Sequence, residues 1–247
     1  MGVEKERPVA VITGASSGIG AATAAALHAA GFALVLGARR LERLREVAGP
    51  LEAEYRPLDV TDLHSVEAFC AAIPRVNVLV NNAGGALGLD PLAQAKDEDW
   101  QQMYDSNVLG LMRMTRALLP RLEASGAGHI VNVGSIAGRE VYPGGAGYNA
   151  AKFAVRAITQ VLRIELLGKP IRVTEIAPGM VETEFSLVRF KGDAERAAKV
   201  YAGVKPLTAE DVADCIRWAV TRPPHVNIDE IVLKPIAQAS ATLVART

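Results

Sequence analysis

The run Tyr148-Asn149-Ala150-Ala151-Lys152 places a phenol four residues before an ammonium. On a helix that offset puts both side chains on one face, with their Cβ atoms about 5–6 Å apart. A cation at that range favours phenolate and is expected to draw the tyrosine pKa down from its ordinary value of about 10. Tyr148 then reads as the proton donor to a carbonyl being reduced, and as the base for an alcohol being oxidised. Tyr142 is a rival phenol, but Ala146 stands four residues beyond it. Ser135 ends an apolar run thirteen residues before Tyr148. Its hydroxyl reads either as the holder of a substrate oxygen or as a turn hydroxyl bonding backbone. Asn107 sits within a long apolar helical pattern, where an amide needs a backbone or water partner and a packing role stays open.

A second group of residues suits a dinucleotide. Thr13-Gly14-Ala15-Ser16-Ser17-Gly18-Ile19-Gly20 follows the first apolar run and opens an alanine-rich helical stretch. Gly14 permits a tight turn, Gly18 leaves room for a pyrophosphate, and Gly20 lets helix and strand approach closely. The helix N-terminus offers N–H groups and a positive dipole end to that phosphate. The spacing is G-x-x-x-G-x-G, and a purely structural glycine turn is the competing reading. The second apolar run ends Gly37-Ala38-Arg39-Arg40. An NAD site would carry Asp or Glu there, whereas arginine suits the 2′-phosphate of NADP. Arg39 reads as the phosphate ligand; Arg40 reads equally well as the start of an exposed helix with Arg43 and Arg45. Asp59, followed by Val60, reads as an adenine contact or as a helix-start signal shared with Asp62. Asn81-Asn82-Ala83-Gly84 reads as a small-residue approach to a ribose or as an Asn-rich turn.

Those residues need a scaffold, and the chain supplies alternating strands and helices. Strands are expected at Val9–Thr13, Ala33–Leu36, Tyr55–Leu58, Val76–Val80, His129–Val133, Arg172–Ile176 and Glu230–Leu233. Most are nearly continuous apolar runs, as in a parallel sheet covered on both faces. Helical patterns lie near 18–30, 40–48, 62–72, 97–124, 149–168 and 208–221. The expected fold is α/β: a doubly wound parallel sheet of about seven strands, forming a single Rossmann-type domain over 1–247. The more polar insertion at 180–207 follows Pro178-Gly179 and is expected to cover the crevice as a lid.

Composition excludes several other functions. Half of the 247 residues are apolar, and 27 basic side chains balance 27 acidic ones, so nothing draws the chain to nucleic acid or an anionic membrane. The two cysteines, Cys70 and Cys215, and four scattered histidines form no metal-ligand spacing, so no metal is expected. The uncharged stretch from Val9 to Ala38 is interrupted by Gly14, Gly18, Gly20 and Gly31, which divides it into strand, loop, helix and strand. Glu4 and Glu6 fit a signal peptide poorly, and Glu6 stands where a myristoylation signal needs Ser or Thr. The expected protein is soluble, unanchored and cytoplasmic.

Taken together, the Thr13–Gly20 turn, Asn81–Gly84, Asn107, Ser135, Tyr148 with Lys152, and Pro178-Gly179 resemble the short-chain dehydrogenase/reductase family over almost the entire chain. The resemblance implies that Ser135 orients the carbonyl and Tyr148 transfers the proton. Lys152 would bind the nicotinamide ribose and lower the Tyr148 pKa, and Asn107 would hold a water linking Lys152 to solvent. Pro178, Gly179 and Thr183 would lie in the segment that contacts the carboxamide of an NADP(H) cofactor. The least generic segments, Gly85–Gly88, Glu184–Asp193 and Pro224–Ile228, resemble bacterial NADP-dependent 3-hydroxy acid dehydrogenases of the serine and allo-threonine type. That resemblance implies a homotetramer built on the two long helices and a small 3-hydroxy acid, 3-oxo acid or semialdehyde as substrate.

A substrate carboxylate taken out of water needs a cationic partner. Arg189 is the first candidate because its planar fork can grip a carboxylate; Lys191 and Arg139 follow. The alternatives are a reductase of another carbonyl, such as a carrier-bound 3-oxoacyl group or a bicyclic aldehyde, and a non-catalytic NADPH-sensing regulator. Loss of Ser135, Tyr148 or Lys152 would favour the regulator; all three are present.

Overall fold

Seven runs become strands of one parallel sheet in the computed structural model, which describes residues 7–247. The readings placed on Glu4 and Glu6 lie outside the described residues. In chain order the elements are β1 (Val9–Thr13), α1 (Gly18–Ala29), β2 (Ala33–Ala38), α2 (Leu41–Ala48), β3 (Glu54–Pro57), α3 (Leu63–Ala71), β4 (Val78–Asn81) and α4 (Asp97–Tyr104). They continue with α5 (Gly110–Ala124), β5 (Gly128–Val133), α6 (Ala146–Glu165), β6 (Ile171–Pro178), α7 (Phe185–Arg189), α8 (Ala194–Tyr201), α9 (Ala209–Val220) and β7 (Glu230–Leu233). The strands lie in the order β3-β2-β1-β4-β5-β6-β7. Strand order reverses direction between β1 and β4, and such a switch point opens a ligand crevice at the carboxyl ends of the strands.

Period-two alternation divides the sheet between two apolar layers. Ala10 and Ile12 of β1 pack with Leu27 of α1, Leu44 of α2 and Ile216 of α9. Val9 and Val11 face the other way, toward Val66 and Phe69 of α3 and Met114, Leu118 and Leu122 of α5. Each large apolar side chain so buried contributes roughly 1.5–3 kcal/mol, which makes these two layers the main source of stability. Among the described residues, no helix is long and apolar enough to cross a membrane.

Several boundaries differ from the sequence expectation for local reasons. The helix expected over 97–124 is three pieces: α4, a π-helical turn at Asp105–Leu109, and α5. Asn107 Nδ2 donates to the Met103 carbonyl at 2.8 Å, competing with the backbone for the acceptor four residues back. The helix expected from 149 begins at Ala146, which puts Tyr148 in its first turn. Strand β3 is an edge strand with exposed residues, not a buried apolar run, and Pro57 ends it where no ladder donor is needed. Strand β4 starts at Val78 because Asn77 turns its side chain to accept from Val9 N at 2.9 Å. The 180–207 segment contains α7 and α8 and returns to the sheet through a bridge between Val181 and Leu207.

Candidate active site

The glycine-rich turn after β1 is held by side chains from β4. Gly14 and Gly18 have φ of +66° and +53°, a region that favours glycine. Asn82 Nδ2 donates to the carbonyls of Thr13 (2.9 Å) and Gly14 (3.2 Å), while Thr13 Oγ1 accepts from the backbone N–H groups of Asn82 and Ala83. The Asn82 side chain is therefore a clamp on the turn. A Cβ at Gly20 would collide with the Gly14 carbonyl, so helix and turn can meet only there at glycine. Gly20→Ala is expected to cost about 1–3 kcal/mol through overpacking, read as a lowered Tm in thermal unfolding. An unchanged Tm would show that the turn yields freely.

The first N–H groups of α1 have no intrahelical partner, and neither the Ser17 side chain nor any first-turn acid takes them. Ala15, Ser16 and Ile19 complete the turn, and Thr183 lies against Gly18. Free N–H groups at a helix start are an arrangement that can receive an anion. Beyond Ala38, the exposed Arg39 makes no hydrogen bond or ion pair to the described residues. It lines an open cavity of about 510 Å³ with Thr61, Asp97 and Glu98. Arg40 instead donates to Glu184 Oε2 at 2.7 Å and Ser17 Oγ at 2.6 Å, and Arg43 meets the same carboxylate. Of the two candidate arginines, Arg39 is the one left to face a ligand. Asp59 accepts from Thr61 N and Thr61 Oγ1 through one carboxylate oxygen, next to buried Val60, whereas Asp62 caps α3.

Ser135, Tyr148, Lys152 and Asn107 are all buried at the carboxyl end of β5 and the adjoining helices. Ser135 caps the short 3-10 turn Ile136–Gly138 by accepting from Ala137 N at 3.1 Å. Lys152 Nζ donates to the Val133 carbonyl at 2.9 Å and stands 5.7 Å from the centre of the Tyr148 ring. Asn107 Nδ2 also donates to Gly85 O at 2.8 Å, and its Oδ1 fills the space where a Cβ on Gly84 would sit. Among the described residues that buried Oδ1 has no partner.

One electrostatic expectation is reversed. Burial pushes the Tyr148 phenol above its ordinary range, and the groups that pull it back are Ser135, by hydrogen bonding, and Arg189, by charge. Lys152 lies against the ring. Its own pKa is pushed down to about 8 by burial, against a raising influence from Glu175.

Arg189 reaches the same chamber from α7. Its guanidinium lies 5.4 Å from the Tyr142 ring centre and 5.8 Å from that of Tyr148, and it donates to Gly88 O (2.9 Å) and Tyr142 Oη (3.1 Å). Phe185 covers Tyr148 with ring centres 5.5 Å apart. A small cavity of about 20 Å³ touches Tyr148, Arg189, Trp100 and Met103. The other two cations do not reach it. Lys191 is bound at 2.8 Å to Asp99, which itself lines that cavity. Arg139 grips Glu175 with both terminal nitrogens (2.8 and 2.9 Å) and Glu230 at 3.0 Å, so it has no free edge for a substrate. Among the described residues no group of His, Cys, Asp or Glu is placed to hold a metal.

The model of the family described as short chain dehydrogenase matches residues 8–193. The chain belongs to the short-chain dehydrogenase/reductase family. It is accordingly an NAD(P)-dependent oxidoreductase acting on alcohol and carbonyl groups. An uncharacterized oxidoreductase of Mycobacterium tuberculosis is 59% identical over 234 residues, covering 95% of this chain and 93% of that one. An NADP-dependent 3-hydroxy acid dehydrogenase of Schizosaccharomyces pombe is 44% identical, over 96% of this chain and 95% of that one. The closed form of a serine dehydrogenase complexed with NADP+ superposes with a TM-score of 0.92 at 41% identity, over 97% of this chain and 99% of the other.

Sequence reasoning names Tyr142 only as a rival phenol in this short-chain dehydrogenase/reductase, and it misses Glu175. Tyr142 lacks a lysine at helical spacing, yet a turn brings it beneath Arg189. Glu175 does carry a signal: it is the lone acid in the buried stretch Val173–Pro178 of β6.

Proposed function

We propose that this chain is an NADP(H)-dependent dehydrogenase of small 3-hydroxy acids, or equally a reductase of the matching 3-oxo acids or semialdehydes. The carrying observation is Arg189, a cation held over both chamber tyrosines at a small cavity that Leu87, Trp100 and Met103 also line. A guanidinium there suits a substrate with an anionic head close to its reacting carbon. The names borne by the relatives support the same class.

In this reading the cofactor lies along the crevice. Gly14 to Ile19 receive the pyrophosphate, Arg39 the 2′-phosphate, and Asp59 with Val60 the adenine. The backbone of Asn82, Ala83 and Gly84 approaches the ribose, Lys152 binds the nicotinamide ribose, and Pro178, Gly179 and Thr183 border the ring. A bound nicotinamide supplies or accepts the hydride. Ser135 holds the substrate oxygen, and Tyr148 delivers the proton to it during reduction and removes it during oxidation. Asn107, whose buried Oδ1 has no partner among the described residues, holds a water linking Lys152 to solvent. Residues 180–207 act as the lid, with Phe185 excluding water and Arg189 binding substrate.

Exposed Phe153, Val161 and Ile164 on α6 support assembly through the long helices, as a homotetramer. The balanced charge and the free thiols of Cys70 and Cys215 support a cytoplasmic enzyme.

The test compares charged and neutral substrates. Arg189→Met keeps length and removes the charge, so KM for a 3-hydroxy acid should rise roughly tenfold or more, the value of one charge-assisted contact. KM for a neutral alcohol or ketone of similar size should change little. Equal changes for both would remove Arg189 from substrate recognition and the hydroxy-acid reading with it.

A further inference from the structure

We propose that the Arg139–Glu175 ion pair, laced to Glu230, is a positioning device that seats the turn carrying Ser135 and fixes a buried negative charge behind the strand end that holds Lys152. The inference rests on the reading of Ser135, Tyr148 and Lys152 as the catalytic set. Glu175 is fully buried in the middle of the sheet, on β6 between β5 and β7. Its carboxylate lies directly against Gly134, the residue before Ser135: a Cβ at 134 would collide with Glu175 Oε1. Arg139 closes the turn that Ser135 opens and reaches back to Glu175, so the two ends of the turn are tied to one carboxylate. The same turn abuts Lys152, since a Cβ on Gly138 would collide with the Lys152 carbonyl.

Such a pair makes a poor stability device. Desolvating both ions offsets most of their attraction, and apolar residues of equal volume commonly do as well or better. Its value here is electrostatic. Lys152 is buried, and burial alone drives an ammonium toward the neutral amine. The charged and titratable groups around it are Tyr148 and Arg156 on its own helix, Arg139 after the turn, Glu175 on β6 and Glu230 on β7, with Arg189 reaching Tyr148 from α7. Three of these are cations, and the Tyr148 phenol is neutral. Glu175 is the fully buried anion of the set, and it lies against Gly134, next to the Val133 carbonyl that accepts from Lys152 Nζ at 2.9 Å, so its charge favours the proton on Lys152.

The test reads the ammonium directly, without turnover. In apoenzyme carrying 13C-labelled lysine, the Lys152 resonance is identified by its loss in Lys152→Met and titrated against pH. Glu175→Gln should move its midpoint down by about one pH unit, whereas Glu175→Asp, which keeps the charge, should leave it near the wild-type value. The alkaline limb of kcat/KM for carbonyl reduction should move down in step. If Glu175→Gln does not fold, Glu230→Gln decides the matter: it strips one carboxylate from Arg139 at a partly exposed site, and a smaller downward movement is expected. An unmoved midpoint in the folded variant overturns the proposal, as does equal behaviour of the Gln and Asp variants. Failure of the catalytic reading looks different: Tyr148→Phe would remain active while the Lys152 midpoint still moved in Glu175→Gln.

Discussion

Tyr148→Phe should reduce turnover by about 10²–10⁴, the range typical of removing a general acid or base, while NADPH binding measured by nucleotide fluorescence stays near wild type. The substitution keeps the ring that packs on Phe185 and faces Arg189 and Lys152, so the chamber retains its shape. What disappears is the hydroxyl within reach of Ser135. Burial holds the phenol in its protonated form through the neutral range, and the Ser135 hydrogen bond and Arg189 charge only partly oppose that. The acid form is thus the resting form, which suits reduction at neutral pH and makes oxidation rise as pH is raised. Tyr142→Phe is the control, because it removes the other phenol near Arg189 and should alter KM more than kcat. A Tyr148→Phe enzyme with turnover within a few-fold of wild type would transfer the proton role elsewhere.

Arg39→Met should lower the preference for NADPH over NADH roughly 10–100-fold, the value of losing one strong charge-assisted contact to a phosphate. The effect is expected in the kcat/KM ratio of the two cofactors, with NADH values nearly unchanged, since NADH lacks the 2′-phosphate. The structure makes this a clean experiment. Arg39 is exposed beyond β2 and bonds to none of the described residues, so its removal disturbs no ion pair. Arg40 cannot substitute for it without leaving Glu184 and Ser17. Arg40→Met should therefore change selectivity much less than Arg39→Met. The reverse order would move the phosphate site to Arg40 and make Glu184 its competitor.

The fold class was legible because buried parallel strands need continuous apolar runs and glycine turns need glycine, both of which depend on neighbouring residues alone. The pairing of Tyr148 with Lys152 was legible for the same reason, since helical spacing is a local property. The break in the long helix was not, because it depends on Asn107 finding Gly85 O and Met103 O, and Gly85 lies 22 residues away. The edge character of β3 also depends on what lies beside it, which no single strand records.

Charge was the least readable quantity. Arg139, Arg189 and Lys191 are alike as sequence, three cations near the catalytic motifs. Tertiary structure alone separates them: Arg139 is locked between Glu175 and Glu230, Lys191 is paired with Asp99, and Arg189 enters the chamber. The Tyr148 phenol is pushed up, opposite to the sequence expectation, because desolvation, a property of the whole surrounding shell, outweighs the Ser135 hydrogen bond and the Arg189 charge. The sequence by itself determined the sheet, the glycine cradle and the identity of the serine, tyrosine and lysine, since each follows from local pattern. Which cation faces substrate, which is bound away, and how strongly each proton is held were decided only when distant strands brought their charges together out of water.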